Sequence, residues 1–508
     1  MQATTPDLQS HSAGGRPHGL LGWLKAEAGP RESLALGLLM VIVSVWPVLV
    51  AAYPQMVDYP AHLARFHVML TYDQSPFLQE YYGFKWRWMG NLGADLLIQP
   101  LARFYPIEQA GRIVVALIPL LTGLGVLAVE WALRRRITAA SMLAMVMIWS
   151  PALLLGFLNF GLSLAAALFV FAAWVLLEGK SWRALVMVPL GFLVWVCHVS
   201  GWGTLGLMVF GYEWSRDKSW RSFVAPLPLA LPILALLFGA GTKGLASYGY
   251  GEAVSVYKWA IWRQALRGTT MGLDYASTLF LLALIAGSLL FRRLDPRLGW
   301  ATFMMLACSL VLPRHIFGGD LVDARMISTG LMAGCLALDW KNPRWLLLAS
   351  PLLFLVRLDI IADNWKRTSV ETEQALKMIE PLPQGVRLAT LAVTERSDWA
   401  FNPQEHIAGY ALVRKDALVN ANFALPMVHM LTIKEGGKYF RDPYHRLNHR
   451  RNKPIDLTNY NPARYADWFW YIGVAQPEKL PKGAKLVATG HNTFLAQLPK
   501  RKREKNPE

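Results

Sequence analysis

Just after a first apolar run lies Asp58-Tyr59-Pro60-Ala61-His62-Leu63-Ala64-Arg65. Proline suits the first turn of a helix and aspartate its N-cap, so this stretch predicts a helix opening at Asp58. Positions 58, 62 and 65 then share one face, at i, i+4 and i+7. A carboxylate able to take a proton, an imidazole and an anion-binding guanidinium would point the same way. Asp58 and His62 are the candidate catalytic residues, with Arg65 binding substrate. A plainer reading has Asp58 capping the helix while His62 and Arg65 anchor it among lipid headgroups.

A second cluster runs from Pro313-Arg314-His315 through Asp320, Asp323 and Arg325. Its glycines permit a tight turn, and its charges could hold a phosphate or a sugar hydroxyl. The plain alternative is a solvated loop with Asp–Arg pairs. Lys258, Arg263 and Arg267 alternate with Trp259 and Trp262, as in an interfacial helix that holds a lipid phosphate or simply attracts anionic headgroups. His198 sits in apolar surroundings, where hydrogen bonding across a helix pair is commoner than catalysis. In the tail, His406, His429, His445 and His449 have no regular metal spacing, so no metal ligands are assigned.

These groups need elements to position them. Of 508 residues, 54% are hydrophobic and 17% charged, below the quarter or so usual for soluble domains. Three cysteines, all in apolar segments, supply neither a disulfide framework nor a zinc motif. Apolar runs near 33–52, 107–133, 138–156, 158–178, 184–199, 201–214, 223–241, 275–291, 298–313, 326–340 and 344–361 predict about eleven transmembrane helices. The stretch 184–214 is interrupted by Pro189, His198 and Gly201 and leaves that number open by one.

The net charge of +17 falls largely in short Lys/Arg clusters between these runs. That pattern fixes topology by the positive-inside rule and excludes nucleic acid as the partner it would suggest in a soluble protein. It puts residues 1–32 in the cytoplasm and the loops 53–106, 242–274 and 314–325 outside. The tail 362–508, with short β-type runs, reads as an outer α/β domain; its basic end, Lys500 to Arg503, does not overturn this, because long domains cross regardless of charge. Segment 91–104, which contains Asp95, reads as an amphipathic helix lying on the membrane. The expected fold is mainly α: a polytopic membrane domain over 33–361 followed by a soluble α/β domain. Few ionisable residues fall inside the spans and no internal repeat is visible, which weighs against a transporter.

An acidic residue after the first span, about eleven helices and a soluble domain after the last together resemble the GT-C superfamily of membrane glycosyltransferases. The Asp58–Arg65 run also resembles the first loop of a group of bacterial GT-C-like membrane proteins. So do Gly156-Phe157-Leu158-Asn159-Phe160 and His406-Ile407-Ala408-Gly409-Tyr410. The resemblance implies a bacterial inner-membrane enzyme that moves a sugar from a polyprenyl-phosphate donor to a cell-envelope glycan or lipid acceptor on the outer face. It maps the family's first-loop carboxylate, as base or orienting group, onto Asp58. Many members carry two adjacent acids there, but Asp58 is followed by Tyr59. A second carboxylate would then come from Asp95, Asp320 or Asp323; a divalent metal stays open without a paired-acid motif to support it, and no other cofactor is implied. The cations available for a leaving phosphate are Arg65, Arg263, Arg267, Arg314 and Arg325. The alternatives are a flippase for a lipid-linked sugar and a membrane O-acyltransferase using His198.

Overall fold

The structure, a computed structural model, describes residues 19–233, 248–316, 319–424, 429–440, 444–451 and 453–499. The first eighteen residues, parts of the expected span 223–241 and of the loops 242–274 and 314–325, and the basic end Lys500 to Arg503 lie outside the described residues.

The chain is mainly helical, with a strand-containing C-terminal region. Helices occur at each expected run within the described residues, but only five are long and apolar enough to cross a membrane: Pro30–Val50, Ile107–Arg134, Leu158–Leu176, Met271–Leu290 and Arg344–Ile379. The expected number near eleven is therefore not reached on length and composition. Ala139–Leu155, Arg183–Cys197 and Pro296–Val311 are apolar but shorter. The reason is local: Ala139–Leu155 is broken by a 3₁₀ turn at Met145–Met147 and by Pro151. At 184–214, His198 leaves helical geometry with ψ 134° and separates Arg183–Cys197 from Val199–Arg216.

Leu158–Leu176 is the most buried of the five and packs between Ile107–Arg134 and Val199–Arg216. The outer helices leave Leu38, Ile42, Leu279, Phe280, Leu290 and Val356 exposed. Apolar surface of that kind needs an apolar neighbour such as lipid.

Helix Leu352–Leu376 runs unbroken through residue 361, so the expected boundary there falls inside a helix. The first strand of the C-terminal region is Arg387–Glu395. It pairs in parallel with Leu418–Val419 and Arg446–His449, and with Trp468–Ile472 in the register Leu388↔Trp468. The hairpin Lys485–Gly490/Thr493–Gln497 extends the sheet antiparallel to Trp468–Ile472. Its central strand is the apolar run Trp468-Phe-Trp-Tyr-Ile472, in which Phe469 to Ile472 are buried.

The C-terminal region is tied to the first long loop. Tyr82–Phe84 pairs antiparallel with Leu431–Ile433, and helix Gly409–Lys415 packs on helix Tyr59–Thr71. Segment 91–104, expected as an amphipathic helix on the membrane, forms the helix Gly93–Leu101 with its polar residue Asp95 turned inward. Gly93, Ala94, Asp95 and Ile98 are buried, and the helix packs against Ile107–Arg134 and Leu158–Leu176. Its polar position Asp95 is satisfied inside the protein, which removes the reason to face a headgroup layer.

Candidate functional site

Helix Tyr59–Thr71 opens at Asp58 with Pro60 in its first turn, as the sequence predicts. The Asp58 side chain makes no capping hydrogen bond. Only its backbone serves the helix, accepting from the His62 N–H at 3.0 Å. The carboxylate is left for something else: Oδ1 lies 3.5 Å from Nε2 of His406.

Asp58 lines a crevice of about 270 Å³ between the helical body and the C-terminal region, shared with His62, His198, Asp320, Arg325 and His406. A second hollow of about 340 Å³ continues it past Arg325 and Glu405 to Arg267. The three segments that carried the resemblance meet here. Gly156, in the left-handed region at φ 98°, precedes Phe157, Asn159 and Phe160 on one wall. A Cβ on Gly156 would lie 2.9 Å from the Cβ of Asp58 and 3.0 Å from its backbone N. On the other wall Gly409 approaches so closely that a Cβ would meet the Pro60 carbonyl oxygen at 2.1 Å.

Replacing Gly156 with alanine combines a strained φ with a collision against Asp58. It is expected to cost roughly 1–3 kcal/mol and to displace the carboxylate. Thermal unfolding together with a ligand-binding or activity assay checks this; a variant that unfolds and functions like wild type would contradict the close approach.

Arg325, at the start of helix Val322–Leu336, is 6% exposed and lines both hollows. Its Nη2 donates to the Asp320 carbonyl at 3.0 Å and its Nη1 lies 3.0 Å from His198 Nε2. The guanidinium stacks 4.4 Å from the Phe157 ring centre. Its Nε has no hydrogen-bond partner among the described residues. Burial lowers its pKa to about 10, against the pull of Asp320 and Asp58, so it stays cationic at neutral pH. A buried guanidinium with an unused N–H beside a cavity suits an anionic ligand.

His62 lines the crevice and packs edge-on against Phe423 at 5.1 Å. Its Nδ1 accepts from Arg65 Nη2 at 3.2 Å, which leaves the ring proton on Nε2. Burial first, then Arg65, holds its pKa well below the usual histidine value, so the ring is neutral. His429, stacked on Phe423, is held neutral the same way. His198 caps its own helix: Nδ1 accepts from the Ser200 N–H at 2.9 Å, which puts the ring proton on Nε2, 3.0 Å from Arg325 Nη1.

Of the other residues expected to bind substrate, Asp320 and Arg267 line the hollows and the rest lie elsewhere. Arg65 and Asp95, 1% and 0% exposed, form an ion pair behind the crevice wall. Asp95 also accepts from Asn159 Nδ2 at 3.3 Å. Lys258 is buried, with its ammonium donating to Asp323 at 2.5 Å and to the Ser309 and Leu312 carbonyls at 2.9 and 2.6 Å. That brace joins helix Val254–Arg263 to helix Val322–Leu336. Asp323 is completed by the Tyr257 hydroxyl at 2.9 Å. Arg263 turns outward to the Tyr275 hydroxyl. Arg314 makes a two-pronged pair with Asp320, which His315 joins from the exposed side at 3.2 Å. Arg267 lines the second hollow, 4.2 Å from the Phe401 ring centre.

Sequence reasoning set His429 and His445 aside and did not single out Glu405, Phe423 or Arg446. Glu405, His406 and His445 come together with ligand-type atoms within 4.8 Å of one another. Only the His406–Tyr410 resemblance pointed to this wall. The crevice offers a proton acceptor, an anion holder and neutral imidazoles at the boundary between an apolar helical body and a polar domain. No family model matches the chain, and no curated protein matches it.

Proposed function

We propose that this chain is an integral membrane glycosyltransferase of GT-C type. It would take a sugar from a polyprenyl-phosphate donor and pass it to a cell-envelope glycan or lipid. The observation that carries this reading is the pairing of Asp58, whose carboxylate is released from capping, with the buried Arg325, both facing one crevice. Further support comes from the five helices able to span a membrane, beside a polar site. The proposal includes about eleven crossings in all, the shorter helices completing the bundle, in a bacterial inner membrane. The N-terminus would be cytoplasmic and the C-terminal region periplasmic, as the basic loops suggest.

In the proposed step, the acceptor hydroxyl oxygen attacks the anomeric carbon and its proton passes to the Asp58 carboxylate. The bond from that carbon to the donor phosphate breaks, and its electron pair leaves with the phosphate. Arg325 holds the developing charge, with Arg267 further along the groove. His62, neutral beside Asp58 on the same helix, is held by Arg65 and the Gly156 backbone and shapes the crevice wall next to the base. A single displacement inverts the sugar configuration. Purified protein in lipid nanodiscs, supplied with polyprenyl-phosphate sugars, is expected to give product of inverted anomeric configuration by NMR. A product of retained configuration would overturn the direct displacement.

Flipping of a lipid-linked sugar is the second reading, favoured by the same crevice at the edge of an apolar bundle. Against the O-acyltransferase alternative stands the capping role of His198, whose Nδ1 is taken by the Ser200 N–H.

A further inference from the structure

The imidazoles of His406 and His445 pack with ring centres 4.4 Å apart, 2% and 0% exposed, and Glu405 brings a carboxylate to the same place. We propose that Glu405, His406 and His445 form a binding site for one divalent transition-metal ion of the zinc class, with an open coordination position facing the crevice beside Asp58.

The donor set is the first argument. Two imidazoles and one carboxylate suit zinc and its neighbours rather than magnesium or calcium, which take oxygen ligands. Three protein ligands with a fourth position open is also the pattern of zinc sites that engage a ligand. The geometry is the second. All three donor atoms lie within 4.8 Å of one another, whereas tetrahedral ligands at zinc distances are about 3.3 Å apart. A modest rotation of Glu405, whose side chain is the most accessible of the three, closes that gap.

The third argument is support from outside the cluster. The Ala392 N–H donates to the His445 carbonyl at 2.8 Å, and the Gly409 N–H to the His406 carbonyl at 2.9 Å. Both backbones are thereby fixed, one to the sheet and one to the helix on Asp58's first turn. Arg446 Nη1 donates to Glu405 Oε1 at 2.5 Å, orienting the carboxylate that reaches the cluster. Outer partners of this kind orient metal ligands. Finally, the crevice gives the ion an approach, since Glu405 and His406 are part of its wall. The bound ion would lie against Asp58, 3.5 Å from His406, and would balance its charge. If the transferase reading holds, the open position would accept a phosphate oxygen of the donor; metal binding itself does not depend on that reading.

The test uses the full chain, purified in detergent without a histidine tag, stripped with chelator and incubated with Zn²⁺ alone. Metal retained after gel filtration is measured by inductively coupled plasma mass spectrometry, with neither donor nor acceptor present. One zinc per chain is expected. Glu405→Gln and His445→Gln should each weaken binding by more than the 10–100-fold typical of an outer partner. His445→Asp, which restores a ligand, should recover part of it. His449→Gln, on a ring already held by Glu395 and the Lys453 carbonyl, should keep one zinc. Wild-type protein carrying no stoichiometric zinc, or folded Glu405→Gln and His445→Gln proteins binding it as wild type does, would overturn the site. A chain that binds zinc through these residues yet transfers no sugar would leave the site standing and remove the transferase reading.

Discussion

Asp58→Asn is expected to lower sugar transfer by about 10²–10⁴-fold, the usual contribution of a general base, with the fold intact. Asparagine is a good test residue because it caps helices about as well as aspartate. Were Asp58 only a cap, the substitution would be silent. In the structure the side chain makes no capping bond, and the carboxylate faces His406 and the crevice. The loss should fall on kcat, because the acceptor's proton is moved only as the bond to the anomeric carbon forms. Turnover and thermal unfolding on the same preparation check this. A variant with wild-type kcat would remove Asp58 from the chemistry, and one that lost activity only by unfolding would make it structural.

The second large effect concerns Asp95, which the sequence placed among substrate-binding residues. Its partner Arg65 is almost fully enclosed, so Asp95→Ala leaves a buried guanidinium without its counter-charge. Removing one partner of such a pair costs about 3–5 kcal/mol, enough to collapse the packing of Gly93–Leu101 against Leu158–Leu176. The double change Asp95→Ala with Arg65→Met removes the stranded charge and should recover much of that loss. Thermal unfolding of the two single variants and the double variant measures the coupling. A substrate-binding Asp95 would give the opposite result: weaker binding at unchanged stability.

The contrast between Asp58 and Asp95 shows what was legible in the sequence. Pro60 and the N-cap position announced the helix, and the i, i+4 spacing placed Asp58 and His62 on the crevice wall. The same spacing misplaced Arg65, because its direction depends on Asp95, thirty residues along the chain on another helix. Lys258 and Asp323 tell the same story. A basic residue in an aromatic stretch looked like a headgroup anchor, but the tertiary structure turned it inward onto a carboxylate.

The tail histidines were illegible for a different reason. Metal spacing can be read from sequence when ligands share one turn or one helix. Here His406 lies in the turn that leads to helix Gly409–Lys415, whereas His445 immediately precedes the strand Arg446–His449, and only the tertiary fold brings the two together. The interruption at His198 was legible and does separate two helices, but hydropathy registers the apolar content of 138–156 without the break at Met145–Met147, so the helix count fell short of expectation.

The central claim is that Asp58 acts in a sugar-transferring site, and cells can report on it directly. Envelope glycans and glycolipids would be profiled by mass spectrometry from strains carrying wild-type protein, a deletion, or Asp58→Asn at matched expression. One species, lighter by one or more sugar residues, is expected to accumulate in both the deletion and the point variant. A profile altered by the deletion but normal in Asp58→Asn would contradict it and favour the flippase.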